Sequence, residues 1–322
     1  MSVAVHAPET SVKTRYIFIV GASRSGTTLM RRTLNRSDQI AICRENHFLG
    51  HWLASEGARH KFRQFGDLSN DANARRLVDY IYSGAFAKSS AFRGVSSQWH
   101  WLTAHVDQAE FLRRLLASER SARALFTLLM QVYAEYRGGS ILGEKTPAHV
   151  RYVPTLLDWY PDGRIIHMLR DPRATFVSEL HRRKKQAVTT PYKQLRRIGF
   201  LFKLFILAQT TLAWAESASR YFKYRQRYPD RYTLMKFEDL VTHPERNIRR
   251  LCDFLGADFQ ASMLRQHVVS QGFQHGQIGF DAQAADRWKT LIDPWIDRWF
   301  VFWFGKYLRE LGYLDGRNGA QP

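Results

Sequence analysis

Two short stretches carry residue types and spacings able to hold phosphate. The first, GASRSGTTLM from Gly21 to Met30, follows the apolar run IFIV. It matches the phosphate-binding pattern G-x-x-x-x-G-K-[ST] at Gly21, Gly26 and Thr28, with Thr27 where that pattern has lysine. Backbone N–H groups of Ser25, Gly26, Thr27 and Thr28 at a helix start, together with the helix dipole and the threonine hydroxyls, favour an anion there. Arg24 is the nearby cation. The second stretch, HMLRDPRATFVSEL, has Arg170 at the end of a strand-like run and Ser178 about two helical turns further on. Arginine offers a planar donor fork suited to phosphate, and serine one more hydroxyl. Taken alone, this Arg-Asp strand end reads more readily as a local ion pair.

The elements that must position these residues alternate. RYIFIV (Arg15 to Val20) reads as a buried strand, Gly26 to Asn35 as its helix, and DQIAIC as a second strand. Asn46 to Arg137 is mostly helical. SILGEKTP is a strand and loop, HVRYVPTLLDWYP a helix started or interrupted at Pro154, and GRIIHMLRDP a strand that ends at a turn. RATFVSELHRRKK has a proline at its first helical turn, a long helical segment covers Tyr192 to Arg227, and RYTLMKFEDL is the last clear strand. HPERNIRRLCDFLG then has Pro244 near a helix start and Gly256 past its end. Alternating strands and helices imply crossover units and an α/β fold, with a central parallel sheet covered on both faces. Ligands in such sheets sit at the carboxyl ends of the strands, which brings Gly21 to Thr28, Glu144 to Pro147 and Arg170 to Pro172 to one edge.

Composition bounds the partners. The 322 residues carry 48 Lys and Arg against 29 Asp and Glu, a formal charge of +19, which favours anionic ligands. No zinc-finger spacing, RNP-like aromatic pattern or clear helix-turn-helix is present, so no specific nucleic acid partner is expected. Cys43 and Cys252 form neither a disulfide framework nor a metal-ligand spacing. Residues 1–14 read as a short disordered tail rather than a signal peptide, and 15–322 as one domain. IGFLFKLFILA is too short to span a bilayer, so a soluble, cytoplasmic protein is expected. HRRKKQAVTTPYKQLRRIGFLFKLF and DPWIDRWFVFWFGKYL are read first as core-packing helices with basic outer faces. The alternative is a peripheral contact with an anionic membrane surface.

Together the two phosphate-holding stretches resemble the sulfotransferases that use 3′-phosphoadenosine-5′-phosphosulfate (PAPS), in particular tyrosylprotein sulfotransferases and their bacterial relatives. SRSGTTLM is similar to their 5′-phosphosulfate loop and RIIHMLRDPRATFVSEL to their 3′-phosphate motif. Further likeness lies in an acidic residue at Glu45, the EKTP element, KFEDLVTHP…LCDFLG, and DRWKTLIDP before a closing LGY. It runs from about Tyr16 to Leu314 and is thin between Trp52 and Ser140. The resemblance implies a P-loop-like three-layer fold with large helical insertions. It also implies transfer of a sulfuryl group from PAPS to a hydroxyl acceptor, with 3′-phosphoadenosine-5′-phosphate as product and no metal. Two separated anion clamps suit that donor, which carries phosphate at both ends.

By the same resemblance Glu45 is the base, Arg24 neutralises the transferring group, and Lys145 reaches that group or the acceptor. Thr27 and Thr28 hold the 5′-phosphate, and Arg170 with Ser178 holds the 3′-phosphate. Arg287, Trp288 and Lys289 lie over the nucleotide, and Phe237 stands where relatives carry a tyrosine. His47 is the nearest rival base, with His100 and His105 behind it. The acceptor, whether small metabolite, sugar, lipid or peptide tyrosine, stays open, as does the oligomeric state. Two other readings compete: a nucleotide kinase with a degenerate loop, disfavoured by Thr27, and a non-catalytic polyanion-binding protein.

Overall fold

Strict alternation along β1 (Arg15–Gly21) sends Ile17 and Ile19 to one face of a sheet and Phe18 and Val20 to the other, all buried. A strand apolar on both faces must lie at the centre of a covered sheet. The computed structural model, which describes residues 15–52, 62–84, 97–185, 197–265 and 278–314, places it there. Five strands pair in parallel in the order β2-β3-β1-β4-β5, with β2 at Ile40–Cys43, β3 at Ile141–Lys145, β4 at Arg164–Leu169 and β5 at Tyr232–Lys236. The register pairs Ile19 with Lys145 on one side and Gly21 with Met168 on the other, so the ends of β1, β3 and β4 lie side by side.

Helices cover both faces. One core gathers Phe18, Phe48, Trp99 and Phe126 with residues from α2 (Asp71–Tyr82), α3 (Gln98–His105), α4 (Gln108–Leu116), α5 (Ala122–Arg137) and α6 (Val153–Trp159). The opposite face packs Ile17, Ile19, Ile166 and Met168 against α1 (Thr27–Leu34), α9 (Phe237–Thr242) and α10 (Pro244–Leu255). A third cluster joins α7 (Pro172–Lys185), α8 (Gly199–Arg227) and α11 (Pro294–Glu310) beside β4. Ends obey local chemistry. Asp171 accepts from the Arg173 amide at 2.8 Å and so caps α7 ahead of Pro172, and Gly256 ends α10 in the left-handed region at φ 64°.

One boundary differs from the expected strand RYTLMKFEDL. Phe237 to Thr242 is helical, because Glu238 and Asp239 occupy a first turn where acidic residues favour the helix dipole. The expected tail, residues 1–14, lies outside the described residues, as do 186–196 of the basic stretch.

Gly21 shows how tightly the strand ends are set. It adopts φ 146°, and a Cβ there would lie 2.2 Å from the Met168 carbonyl oxygen on β4. Gly21→Ala should therefore destabilise the fold by roughly 2 kcal/mol or more, because backbone rather than a flexible side chain must yield. Urea unfolding of the variant checks this.

Candidate active site

The loop between β1 and α1 is built to turn sharply. Arg24 takes φ 70° and Gly26 φ 92°, and the Ser25 hydroxyl and amide both bond back to the Ala22 carbonyl, at 2.7 and 3.3 Å. A non-glycine residue in the left-handed region costs on the order of 1 kcal/mol and persists only where surroundings enforce it. In the free chain the amide of Ser25 thus closes the turn. Gly26, Thr27 and Thr28 begin α1, and no side chain caps that helix. Gly26 is required by packing, since a Cβ would meet the Phe237 ring at 2.6 Å.

Arg24 joins the two distant stretches. Its Nε and Nη2 both donate to the Ser178 hydroxyl, at 3.3 and 3.1 Å, and Glu179 lies 3.9 Å away. Burial lowers its pKa to about 10, against the pull of Glu179. Ser178 was expected beside Arg170; in the free protein its described partner is Arg24.

Arg170 leaves β4 and stacks on Phe237, guanidinium to ring centroid 4.0 Å. Nη2 donates to the Ala284 carbonyl at 2.9 Å, while Nε is buried without a partner. Burial lowers the Arg170 pKa, against the attraction of nearby Glu238 and Asp171, and neighbouring Arg287 pushes it further down. Arg287 is held by Asp281 at 2.7 Å. An orphaned donor on a cation beside a second cation suits a phosphate, and no ion pair links Arg170 to a described carboxylate. Trp288 is buried under Arg173, 4.4 Å from guanidinium to ring, whereas Lys289 is exposed and pairs with Asp286.

The third group gathers on the other side of the loop. Lys145, at the end of β3, bonds Glu45 and also donates to Thr28 Oγ1 at 3.2 Å. His47 Nε2 lies 3.4 Å from the other Glu45 oxygen. Burial opposes ionisation of Glu45, but the bonds from His47 and Lys145 outweigh it and bring the carboxyl down to about 2. Burial likewise lowers the Lys145 pKa, against the attraction of Glu45.

The backbone around Glu45 is clamped. Arg44 N donates to Gln98 Oε1 at 3.1 Å, Gln98 N to the Glu45 carbonyl at 2.8 Å, and Asn46 N to Thr146 Oγ1 at 3.2 Å. Thr146 in turn donates to buried Glu144, which also binds His149 at 2.5 Å. His100 and His105 are engaged within α3, by Ser97 at 2.5 Å and by the Trp101 carbonyl at 2.8 Å.

Sequence reasoning missed Arg173 and the Glu144–Thr146–His149 network. Arg173 grips Asp171, Asp297 and the Tyr313 carbonyl, tying α7 to α11 and the closing LGY. Its signal lay in RDPR, where the ion pair read for Arg170 belongs instead to Arg173. Glu238 was missed too. It accepts from the Asp171 amide at 3.0 Å, and burial raises its carboxyl to about 7.

Residues 16–261 match the sequence profile described as the Sulfotransferase family. The omega-hydroxy-beta-dihydromenaquinone-9 sulfotransferases of Mycobacterium bovis and Mycobacterium tuberculosis are each 27% identical over 287 residues, covering 81% of this chain and 68% of theirs. Among solved structures, the sulfotransferase domain from the Synechococcus PCC 7002 olefin synthase aligns with TM-score 0.56 at 18% identity. That from the curacin biosynthetic pathway aligns with TM-score 0.53, also at 18%. Each alignment covers 94% of this chain and 98% of the other, and they show a shared fold.

Two measurements follow from the titrating groups. Lys145→Met should move the Glu45 carboxyl up from about 2 toward its ordinary value, read by carboxyl NMR across an acid titration. Glu238 titrates higher in the folded chain than in the unfolded one, so the fold binds more protons between about pH 4.5 and 7. Stability should therefore fall as pH rises through that window, and Glu238→Gln should flatten the fall in denaturant midpoint.

Proposed function

The chain belongs to the sulfotransferase family and is an enzyme of that kind; we propose that its donor is PAPS and its acceptor an alcohol or phenol hydroxyl. The observation that carries this reading is the Arg170 guanidinium, half-buried on Phe237 with an unpartnered Nε. Phe237 also packs against Gly26, so one aromatic ring touches both phosphate-holding stretches. A nucleotide with phosphate at two ends fits that spacing of charge. When bound, PAPS supplies a sulfuryl group whose bond to the 5′-phosphate breaks as the acceptor oxygen bonds sulfur, leaving 3′-phosphoadenosine-5′-phosphate.

The protein's residues position and neutralise. Thr27 and Thr28, with the open start of α1, hold the 5′-phosphate, and Arg24 balances charge at the transferring group. Arg170, with Arg287 beside it, holds the 3′-phosphate; Ser178 extends that clamp toward Arg24. Glu45 takes the acceptor proton. A carboxyl near 2 is a feeble base while Lys145 is bound to it. Lys145 already reaches Thr28 on the phosphate loop, so an anion there competes for it, and Glu45 becomes more basic as the donor site fills.

The mycobacterial relatives are named for a hydroxylated menaquinone, which supports a hydroxyl acceptor without fixing its class here. A contact with a membrane surface belongs to the same reading, as does a cytoplasmic location, in keeping with two free, buried cysteines. Labelled PAPS offered with phenols, sugars, lipids and tyrosine peptides identifies the acceptor. On the best one, Glu45→Gln should lower turnover about a hundredfold or more with nucleotide affinity little changed. Near-normal turnover by a folded variant would remove Glu45 from the mechanism and leave His47 as the base.

A further inference from the structure

The outer face of α11 has the wrong composition for water. Its inward residues Ile296, Phe300, Phe304 and Leu308 recur every four positions and are buried, with Trp295 and Tyr307 packed beside them. Yet Phe302 is 80% exposed, Trp303 56%, and Leu212 on neighbouring α8 72%. Trp299 joins them, its ring 5.7 Å from Trp303 and its indole N–H donating to Thr211 Oγ1 at 3.1 Å. Phe302 meets Trp303 edge-on at 5.4 Å. Single exposed apolar residues need no explanation, but a contiguous aromatic patch marks an interaction surface.

Its place in the fold is defined. α8 and α11 run in the same direction, since Lys203 pairs with Asp293, Trp214 packs on Phe304 and Arg225 pairs with Glu310. Trp214 donates to the Arg170 carbonyl at the carboxyl end of β4, whereas Arg231, beyond the end of α8, bonds Ile165 near the amino end of that strand. Gly199 to Ala213 therefore project roughly 20 Å past the carboxyl edge of the sheet, at 1.5 Å per residue. The aromatic patch begins on that projecting side, the side of the candidate active site.

Charge decides the occupant. The acidic residues of α11 and its cap are all paired within the chain: Asp293 with Lys203, Asp297 with Arg173 and Glu310 with Arg225. Arg298 and Lys306, one turn to either side of Phe302, are exposed and form no ion pair with a described residue. A second copy would set these cations against their own images, on a chain that already carries +19. An anionic surface is complementary.

We propose that this α8–α11 face docks on an anionic lipid bilayer. Leu212, Trp299, Phe302 and Trp303 enter the headgroup region, and Arg298 and Lys306 meet lipid phosphates. No described helix is long and apolar enough to cross a membrane, so this contact lies along the surface. The docking surface stands on these residues alone; only its use in delivering a lipid-borne acceptor rests on the function proposed above. The expectation that both stretches are core helices with basic outer faces is thereby revised for α11, whose outer face is aromatic with cations at its rim.

Co-sedimentation of the full chain with phosphatidylcholine vesicles, with and without phosphatidylglycerol, tests this. Binding is expected only with phosphatidylglycerol, weakened by salt and accompanied by a blue shift of tryptophan emission. Phe302→Ser with Trp303→Ser, and separately Arg298→Glu with Lys306→Glu, should each reduce binding about tenfold or more, with transfer to a water-soluble acceptor unchanged. No binding to phosphatidylglycerol vesicles, or binding that survives both pairs of substitutions, overturns the proposal. Self-association abolished by the Phe302 and Trp303 pair, without vesicle binding, would overturn it in favour of a second copy. Vesicle binding that persists in a chain transferring no sulfuryl group to any acceptor supports the docking surface while removing the function proposed above.

Discussion

Positive charge withdrawn from water at the carboxyl edge of the sheet is the constraint on which the rest depends. Arg24, Lys145 and Arg170 all have their pKa values lowered, with burial as the largest cause. A partly desolvated cation is costly unless paired, and the pairing here is incomplete. Arg24 has Glu179 only at 3.9 Å, and Arg170 keeps an orphaned Nε beside Arg287. An anion placed beside either cation would relieve that deficit. The fold supplies the deficit by geometry, since parallel pairing in register brings the ends of β1, β3 and β4 together while their loops come from far-separated sequence.

Phe237 touches both phosphate-holding stretches. It lies under Arg170 and against Gly26, so the glycine is set by the ring as much as by the turn. A tyrosine there would add a hydroxyl; phenylalanine contributes only an apolar surface and a face for the guanidinium. On the far side of the loop, Lys145 couples Thr28 to the Glu45 carboxylate. Together with His47, this side chain holds the Glu45 carboxyl down at about 2.

The fold was legible where local chemistry dominates. The apolar run before Gly21, the proline-led start of α7 and the glycine end of α10 are set within a few residues, and the structure has them there. KFEDL was misread as strand because β-like residues run on past Lys236, while the acidic first turn that makes it helical is a weaker signal. Contacts across long separations were not legible. Ser178 was grouped with Arg170 by spacing, yet its hydroxyl meets Arg24, and the backbone of Glu45 and Asn46 is fixed by Gln98 and Thr146 on other elements. Aromatic richness in α11 was read as core, but a four-residue repeat already fills the inward face and the surplus turns outward.

The two-clamp arrangement is tested most directly by calorimetry of the chain and its Arg170→Ala variant. The two ligands are 3′-phosphoadenosine-5′-phosphate and adenosine 5′-phosphosulfate, which lacks the 3′-phosphate. Both titrations are run without divalent metal. Loss of Arg170 is expected to weaken the first ligand at least about tenfold, in line with a charge-assisted pair, and to leave the second nearly unchanged. Equal weakening of both, or no weakening of the first, would contradict a separate 3′-phosphate clamp at Arg170.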